Sequence, residues 1–178
     1  MYFGGLNKLI RDYANGGHQR WILVQQFGQP NEWNVSEVTD MSELFYNINN
    51  FNENISCWDT SKVTNMERMF ARNPSFHGDI IANWNVSNVT NMKEMFKDST
   101  SNPDITEWDV SNVKNMDRMF QNNWQFNWDI SGWNTDSVTS HIDMFSGNNI
   151  PDQMKPTMLC LQNRNYFNRL YKITNRYE

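Results

Sequence analysis

One spacing governs what this chain can fold into. Trp33, Trp58, Trp84, Trp108 and Trp133 are each followed 12 residues later by a Phe, at Phe45, Phe70, Phe96, Phe120 and Phe145. Successive units lie 25, 26, 24 and 25 residues apart. A period of this size marks an array of stacked units, each too small to bury its own apolar residues. The five Trp and five Phe are therefore the expected structural core. A second Phe follows six residues after the first at Phe51, Phe76 and Phe126, with Asn102 in that place in the third unit. Ile55, Ile80, Ile105 and Ile130 close the first four units. Length varies only near this Ile, so the variation belongs to a loop and the Trp-to-Phe segment is constant.

Within a unit, the short β-branched stretch around Val35 to Thr39 reads as a strand. Asp40, Asn65, Asn91, Asn115 and Ser140 come next. All are helix N-cap residues, whose side-chain oxygen can satisfy a free N–H. After the cap, Met41, Leu44 and Phe45 share a helical face, as do Met66, Met69 and Phe70, and Met92, Met95 and Phe96. Charged residues, Glu67 and Arg68, Lys93 and Glu94, and Asp117 and Arg118, fill the exposed positions between. The spacing predicts a helix of about two turns, unable to stand alone. Asn34, Asp59, Asn85, Asp109 and Asn134 also recur in register and predict polar ladders that serve turn backbone groups.

The expected fold is an α/β repeat solenoid, a right-handed parallel stack of about five strand–short helix–loop units over residues 31–149. Residues 1–30 form an N-terminal helical cap, with Leu6, Leu9, Ile10 and Tyr13 on one face and Trp21 to Val24 packed on the first unit. The fifth unit is degenerate, with His141 in a Met place, as befits a terminal repeat. Residues 150–178 leave the pattern and read as a C-terminal helical cap or a docking tail. The tail is locally basic through Arg164, Arg169, Lys172 and Arg176.

Composition removes several function classes. A hydrophobic content of 38% with 14% aromatic residues is too high for a disordered chain. A net charge of −5 argues against nucleic acid as a partner. The longest apolar run, Trp21 to Val24, is far too short to span a membrane. The start shows no secretory signal, which points to an intracellular or virion-associated protein. Cys57 and Cys160 form no disulfide framework or zinc spacing, and His18, His77 and His141 fall in different units. No nucleophile elbow, phosphate loop or dinucleotide fingerprint is present. The expectation is no metal, no cofactor and no enzyme activity.

The units share the pattern W-[ND]-[VT]-S-x-V-T-[ND]-M-x-x-M-F. This pattern resembles the BspA-like leucine-rich repeat family, a domain of unknown function first described in mycoplasma surface lipoproteins and found also in protists, algae and giant DNA viruses. The resemblance covers about residues 27–145. It implies a leucine-rich-repeat-like fold and a binding or adhesion role.

Two roles follow as expectations. In the first, the protein is a scaffold that binds a protein partner, or a glycan, through its strand face. The exposed pairs flanking the buried Val are Glu37 and Thr39, Lys62 and Thr64, Asn88 and Thr90, Asn112 and Lys114, and Ser137 and Thr139. In the second, it is a structural subunit of a larger assembly, such as a giant-virus virion, contacting neighbours through its caps and basic tail.

Overall fold

The computed structural model describes residues 5–78 and 80–158. Two helices open the chain, α1 (Gly5–Ala14) and α2 (Gly17–Phe27). α1 buries Leu9, Ile10, Tyr13 and Ala14. Tyr13 keys the helix to the first unit: its ring meets Trp33 edge-on at 5.5 Å and Phe51 at 6.1 Å, and its hydroxyl donates to Gln29 Oε1 at 3.2 Å. Arg20 of α2 lies 4.4 Å above the same ring and pairs with Glu53. α2 departs from the expected packing, because only Leu23 is buried, while Trp21 is 59% and Ile22 36% exposed. Gly28 ends α2 at φ 75°, and a Cβ there would lie 2.3 Å from the Glu32 carboxylate that accepts from Gln29 N–H. Only glycine fits that corner.

The repeats are not a strand-and-helix solenoid. Among the described residues there is no β-strand, no sheet and no α-helix after Phe27. The expected strands are reduced to isolated parallel bridges, Asp40 to Asn65, Asn65 to Asn91, Asn91 to Asn115 and Asn115 to Ser140. The expected short helices are runs of turns.

The hydrogen-bond accounting explains the difference. In an α-helix each N–H returns to the carbonyl four residues back. Here alternate N–H groups take different routes. Leu44, Tyr46 and Ile48 donate to carbonyls three residues back, Met41, Glu43 and Phe45, at 3.1–3.3 Å. Met41, Glu43, Phe45 and Asn47 donate instead to the next unit, to Asn65, Glu67, Met69 and Ala71, at 2.9–3.1 Å. The four-bond pattern recurs at every junction, up to Met116, Arg118, Phe120 and Asn122 donating to Ser140, Ile142, Met144 and Ser146.

This alternation requires two left-handed residues per unit. They are Glu43 and Asn47, Arg68 and Arg72, Glu94 and Asp98, Arg118 and Asn122, then Asp143 and Gly147, with φ of 53–57° at every non-glycine. A left-handed L-residue costs roughly 1–2 kcal/mol. The inter-unit bond that each conformation allows offsets that cost.

The expected N-cap contact forms, but it starts a turn. The side-chain oxygens of Asp40, Asn65, Asn91 and Asn115 accept from the N–H two residues on, at 2.8–3.1 Å. Asn34, Asp59, Asn85, Asp109 and Asn134 do the same one turn earlier, at 3.0–3.1 Å. These Asx turns give the chain a non-helical path at two corners of every unit.

The core is a set of columns running along the stack. Phe45, Phe70, Phe96, Phe120 and Phe145 lie face to face with centroids 5.2–5.7 Å apart. Trp33, Trp58, Trp84, Trp108 and Trp133 are all buried, as their period required. Burial of an indole demands a partner for its N–H. Trp33 finds one locally, donating Nε1–H to Gly28 O at 3.1 Å. The others donate to a carbonyl of the preceding layer: Trp58 to Pro30 at 2.7 Å, and Trp84 to Ile55, Trp108 to Ile81 and Trp133 to Ile105, each at 3.2 Å. Trp58 also stacks on Trp84, with centroids 6.1 Å apart, and Trp133 meets Phe120 at 6.4 Å. Phe51, Phe76 and Phe126 back the Phe column at 4.0–4.7 Å.

Two register details differ from the sequence reading. Ile81, fully buried, takes the Ile place, while Ile80 is only half-buried, so the extra residue of that unit precedes the Ile. Ser101, fully buried, takes the second Phe place, because Asn102 N–H joins His77 O and Asn102 Oδ1 accepts from Asn127 N–H. A Ser99–Ser101 hydroxyl pair at 2.8 Å, with Ser101 also donating to Phe76 O, replaces the missing ring.

Candidate functional site

The ten face residues are brought together in two columns by the parallel bridging. Nine are exposed and Thr90 is half-buried. The Val column between them, Val63, Val89, Val113 and Val138, points into the core and is buried, whereas Val38 at the first unit is half-buried.

The face spends part of its hydrogen-bonding capacity on the stack. Thr64 and Thr90 donate Oγ1–H to Thr39 O and Thr64 O at 3.2 Å, and Thr139 donates to Lys114 O at 3.0 Å. Backbone N–H groups of the same column donate to the same carbonyls, as Thr64 does to Thr39 O at 2.8 Å. Asn88 and Asn112 donate Nδ2–H to Ser61 O and Ser87 O at 2.7 and 2.8 Å. Lys62 pairs with Glu37 at 2.5 Å. The hydroxyl lone pairs, the amide oxygens of Asn88 and Asn112, the Lys114 ammonium and the Ser137 hydroxyl are not spent on these bonds within the stack. Such a polar row offers directional donors and acceptors along the stack.

The candidate tail, Arg164, Arg169, Lys172 and Arg176, lies outside the described residues. Of the expected structural core, Trp33, Trp58, Trp84, Trp108 and Trp133 are buried, as are Phe45, Phe70, Phe96 and Phe120. Phe145 departs from the expectation. It is half-buried beneath Lys155, because no repeat of the same kind follows the fifth unit among the described residues.

Sequence reasoning missed an ion ladder on another side of the stack. The first left-handed position of each unit reads Glu43, Arg68, Glu94, Arg118, Asp143, alternating in sign through all five units. Arg68 reaches Glu43 at 3.3 Å and Glu94 at 2.8 Å, and Arg118 reaches Glu94 at 3.5 Å and Asp143 at 3.8 Å. The signal was available, since residues at one place in successive units face each other across a backbone spacing of about 4.8 Å. Glu94 sits at the centre and is buried, contrary to the exposed place expected for it, because Arg68 and Arg118 of the flanking units close over it. Burial pushes its carboxyl up, but the Arg68 hydrogen bond and the charges of Arg68, Lys97 and Lys93 outweigh burial and hold it below the usual range. Asp59 and Asp109 are held low chiefly by hydrogen bonds from Ser61 and Ser111. At Asp40, burial is opposed and outweighed by hydrogen bonds from Ser42 and Asn65. These shifts serve structure, because each carboxylate is already engaged by its own turn or neighbour.

Among the described residues no three of His, Cys, Asp and Glu gather so as to hold a metal ion. No helix among them is long and apolar enough to cross a membrane.

These features define a class: a repeat protein whose units join by alternating backbone donation and bury aromatic columns, leaving polar columns at the surface. The family described as "Mycoplasma protein of unknown function, DUF285" matches residues 20–102 and, overlapping them, residues 81–154. The chain belongs to this family. No curated protein and no solved structure matched the chain.

Proposed function

We propose that the protein is a non-enzymatic recognition scaffold that binds a protein partner through the columns Glu37 to Ser137 and Thr39 to Thr139. The observation that carries the reading is the division of labour along these columns. One set of polar atoms holds the face rigid, and a second set is left at a fixed spacing toward solvent. A surface ordered before binding loses little entropy on association. A glycan is the alternative ligand for the same row of amides and hydroxyls. The narrower kinship with BspA-like proteins, whose implied role is binding or adhesion, belongs to this proposal.

The test is affinity capture with the wild-type chain and with Lys62→Glu/Lys114→Glu, followed by titration of the captured partner. Loss of tenfold or more in affinity, with the fold intact by circular dichroism, is the expected result. Equal affinity of both chains for every captured protein and for arrayed glycans refutes the face.

A second reading, a subunit of a larger assembly, draws on the N-terminal end. There Trp21 and Ile22 are exposed side by side, with His18 stacked on Trp21 at 5.7 Å.

A further inference from the structure

The chain has eight Trp, and the five at the repeat period are buried. The other three are exposed: Trp21, Trp124 at 57% and Trp128 at 37%. Trp124 and Trp128 share the loop that closes the fourth unit. They flank Phe126, which is fully buried and stacks on Phe120 with centroids 4.1 Å apart. Four residues span at most about 14 Å, so one short ligand can reach both indoles.

The repeat calls for a ring at neither place. Four places after the Phe, where Trp124 stands, the other units carry Asn49, Pro74, Thr100 and Asn149. Asn102 and Asn127 lie in register, bonded side chain to side chain at 2.9 Å, and Asn102 N–H reaches His77 O. The next place therefore runs Gly78, Pro103, Trp128, and a Cβ on Gly78 would already meet Pro103 at 2.9 Å. Small or polar residues serve the fold in both columns. A pair of indoles kept in water marks a place of contact.

The chemistry around the pair selects the ligand. Trp128 donates Nε1–H to Asn102 O at 3.1 Å, which spends the polar group of the ring on the protein and leaves its π surface. Residues 98–106 and 119–154 contain no Lys or Arg. The loop and the segments stacked beside it thus lack the cations that nucleic-acid phosphates or an anionic membrane require. Amides take their place. Gln125 and Asn127 are exposed between the indoles, and Asp129 is exposed beside them. An amide both donates and accepts, as a hydroxyl does, and a carboxylate accepts. A pyranose ring matches this set. The weakly positive C–H groups on its flat face meet the negative π face of an indole, and its rim of hydroxyls meets the amides and the carboxylate. A protein partner would instead seat a Trp in a desolvated pocket of its own, and Trp128 is tied back to Asn102.

We propose that Trp124 and Trp128 form a stacking platform for a neutral pyranose oligosaccharide. The platform is independent of the columns Glu37 to Ser137 and Thr39 to Thr139, none of whose residues lies in this loop.

The test is titration of the full chain with cellohexaose, chitohexaose, xylohexaose and mannohexaose, followed through the indole N–H signals by NMR. At least one sugar is expected to bind with Kd below about 1 mM and to shift the Trp124 and Trp128 signals first. Trp124→Ala should weaken it by about tenfold or more, and Trp124→Phe should keep most of the affinity. The Trp124 indole makes no hydrogen bond among the described residues, so this variant leaves the fold unchanged by circular dichroism. Trp21→Ala, which removes an equally exposed indole elsewhere, should bind as the wild type does. Absence of binding by all four sugars at about ten times that concentration overturns the proposal. So does binding that survives Trp124→Ala/Trp128→Ala, or capture through Trp124 of a protein in place of any sugar.

Discussion

Phe96→Ala tests the columnar core most directly. Phe96 is fully buried at the middle of the Phe column, with Phe70 at 5.6 Å and 4° on one side and Phe120 at 5.7 Å and 8° on the other. Truncating a buried Phe to Ala costs about 3–5 kcal/mol, and the cost depends on how far the site can collapse. Collapse is blocked here, because Phe70 N–H to Met95 O and Phe96 N–H to Met119 O, both 2.9 Å, fix the layer spacing on either side. Loss of two stacked neighbours adds to the area term. The expected loss is therefore at the upper end, about 4–5 kcal/mol. Phe145→Ala is the internal comparison. Its ring is half-buried and stacks on one neighbour only, so about 1–2 kcal/mol is expected. Equilibrium urea denaturation, followed by Trp fluorescence and far-UV circular dichroism together, measures both. A Phe96→Ala loss below about 1 kcal/mol, or one no larger than that of Phe145→Ala, refutes a core held by the column.

Two further predictions separate the turn geometry and the ion ladder from simpler readings. Arg72→Gly should leave stability unchanged or raise it by up to about 1 kcal/mol, because Arg72 is left-handed at φ 53° and Gly147 already holds that place in the last unit; a helical site would lose about 1 kcal/mol in the same denaturation experiment. Glu94→Gln should cost about 1–3 kcal/mol at pH 7 by leaving Arg68 and Arg118 without their shared carboxylate. Because the folded-state pKa of Glu94 lies below its unfolded value, this stabilisation is complete above the unfolded pKa and fades as pH falls through the folded one. The gap between the wild-type and Gln curves should narrow as pH falls below the ordinary carboxylate range, and a gap that stays constant through that fall refutes the assignment.

Part of this protein was legible in its sequence. The Trp and Phe spacings determined the number of units and the core columns, because residues repeated at one period must share one environment when units stack; Asp40, Asn65, Asn91 and Asn115 recurred with them, but as expected helix N-caps, and they open turns instead. The apolar face of Leu9, Ile10 and Tyr13 likewise announced α1. The candidate face followed from the same register, since the residues flanking a buried Val must point outward.

The backbone path between Met and Phe was decided only by the tertiary structure. Met41, Leu44, Phe45 and Ile48 are buried at helical spacing, and a run of alternating turns buries the same set. The apolar pattern is therefore identical for a helix and for the turns. What separates them is where alternate N–H groups find their carbonyls. The acceptors of Met41, Glu43, Phe45 and Asn47 lie 24 residues away, in the next unit. They exist as partners only after stacking, and they then compete successfully with the local helical bond. The ion ladder has the same origin. Glu43, Arg68, Glu94, Arg118 and Asp143 are strangers along the chain and become neighbours only when the units lie one upon another.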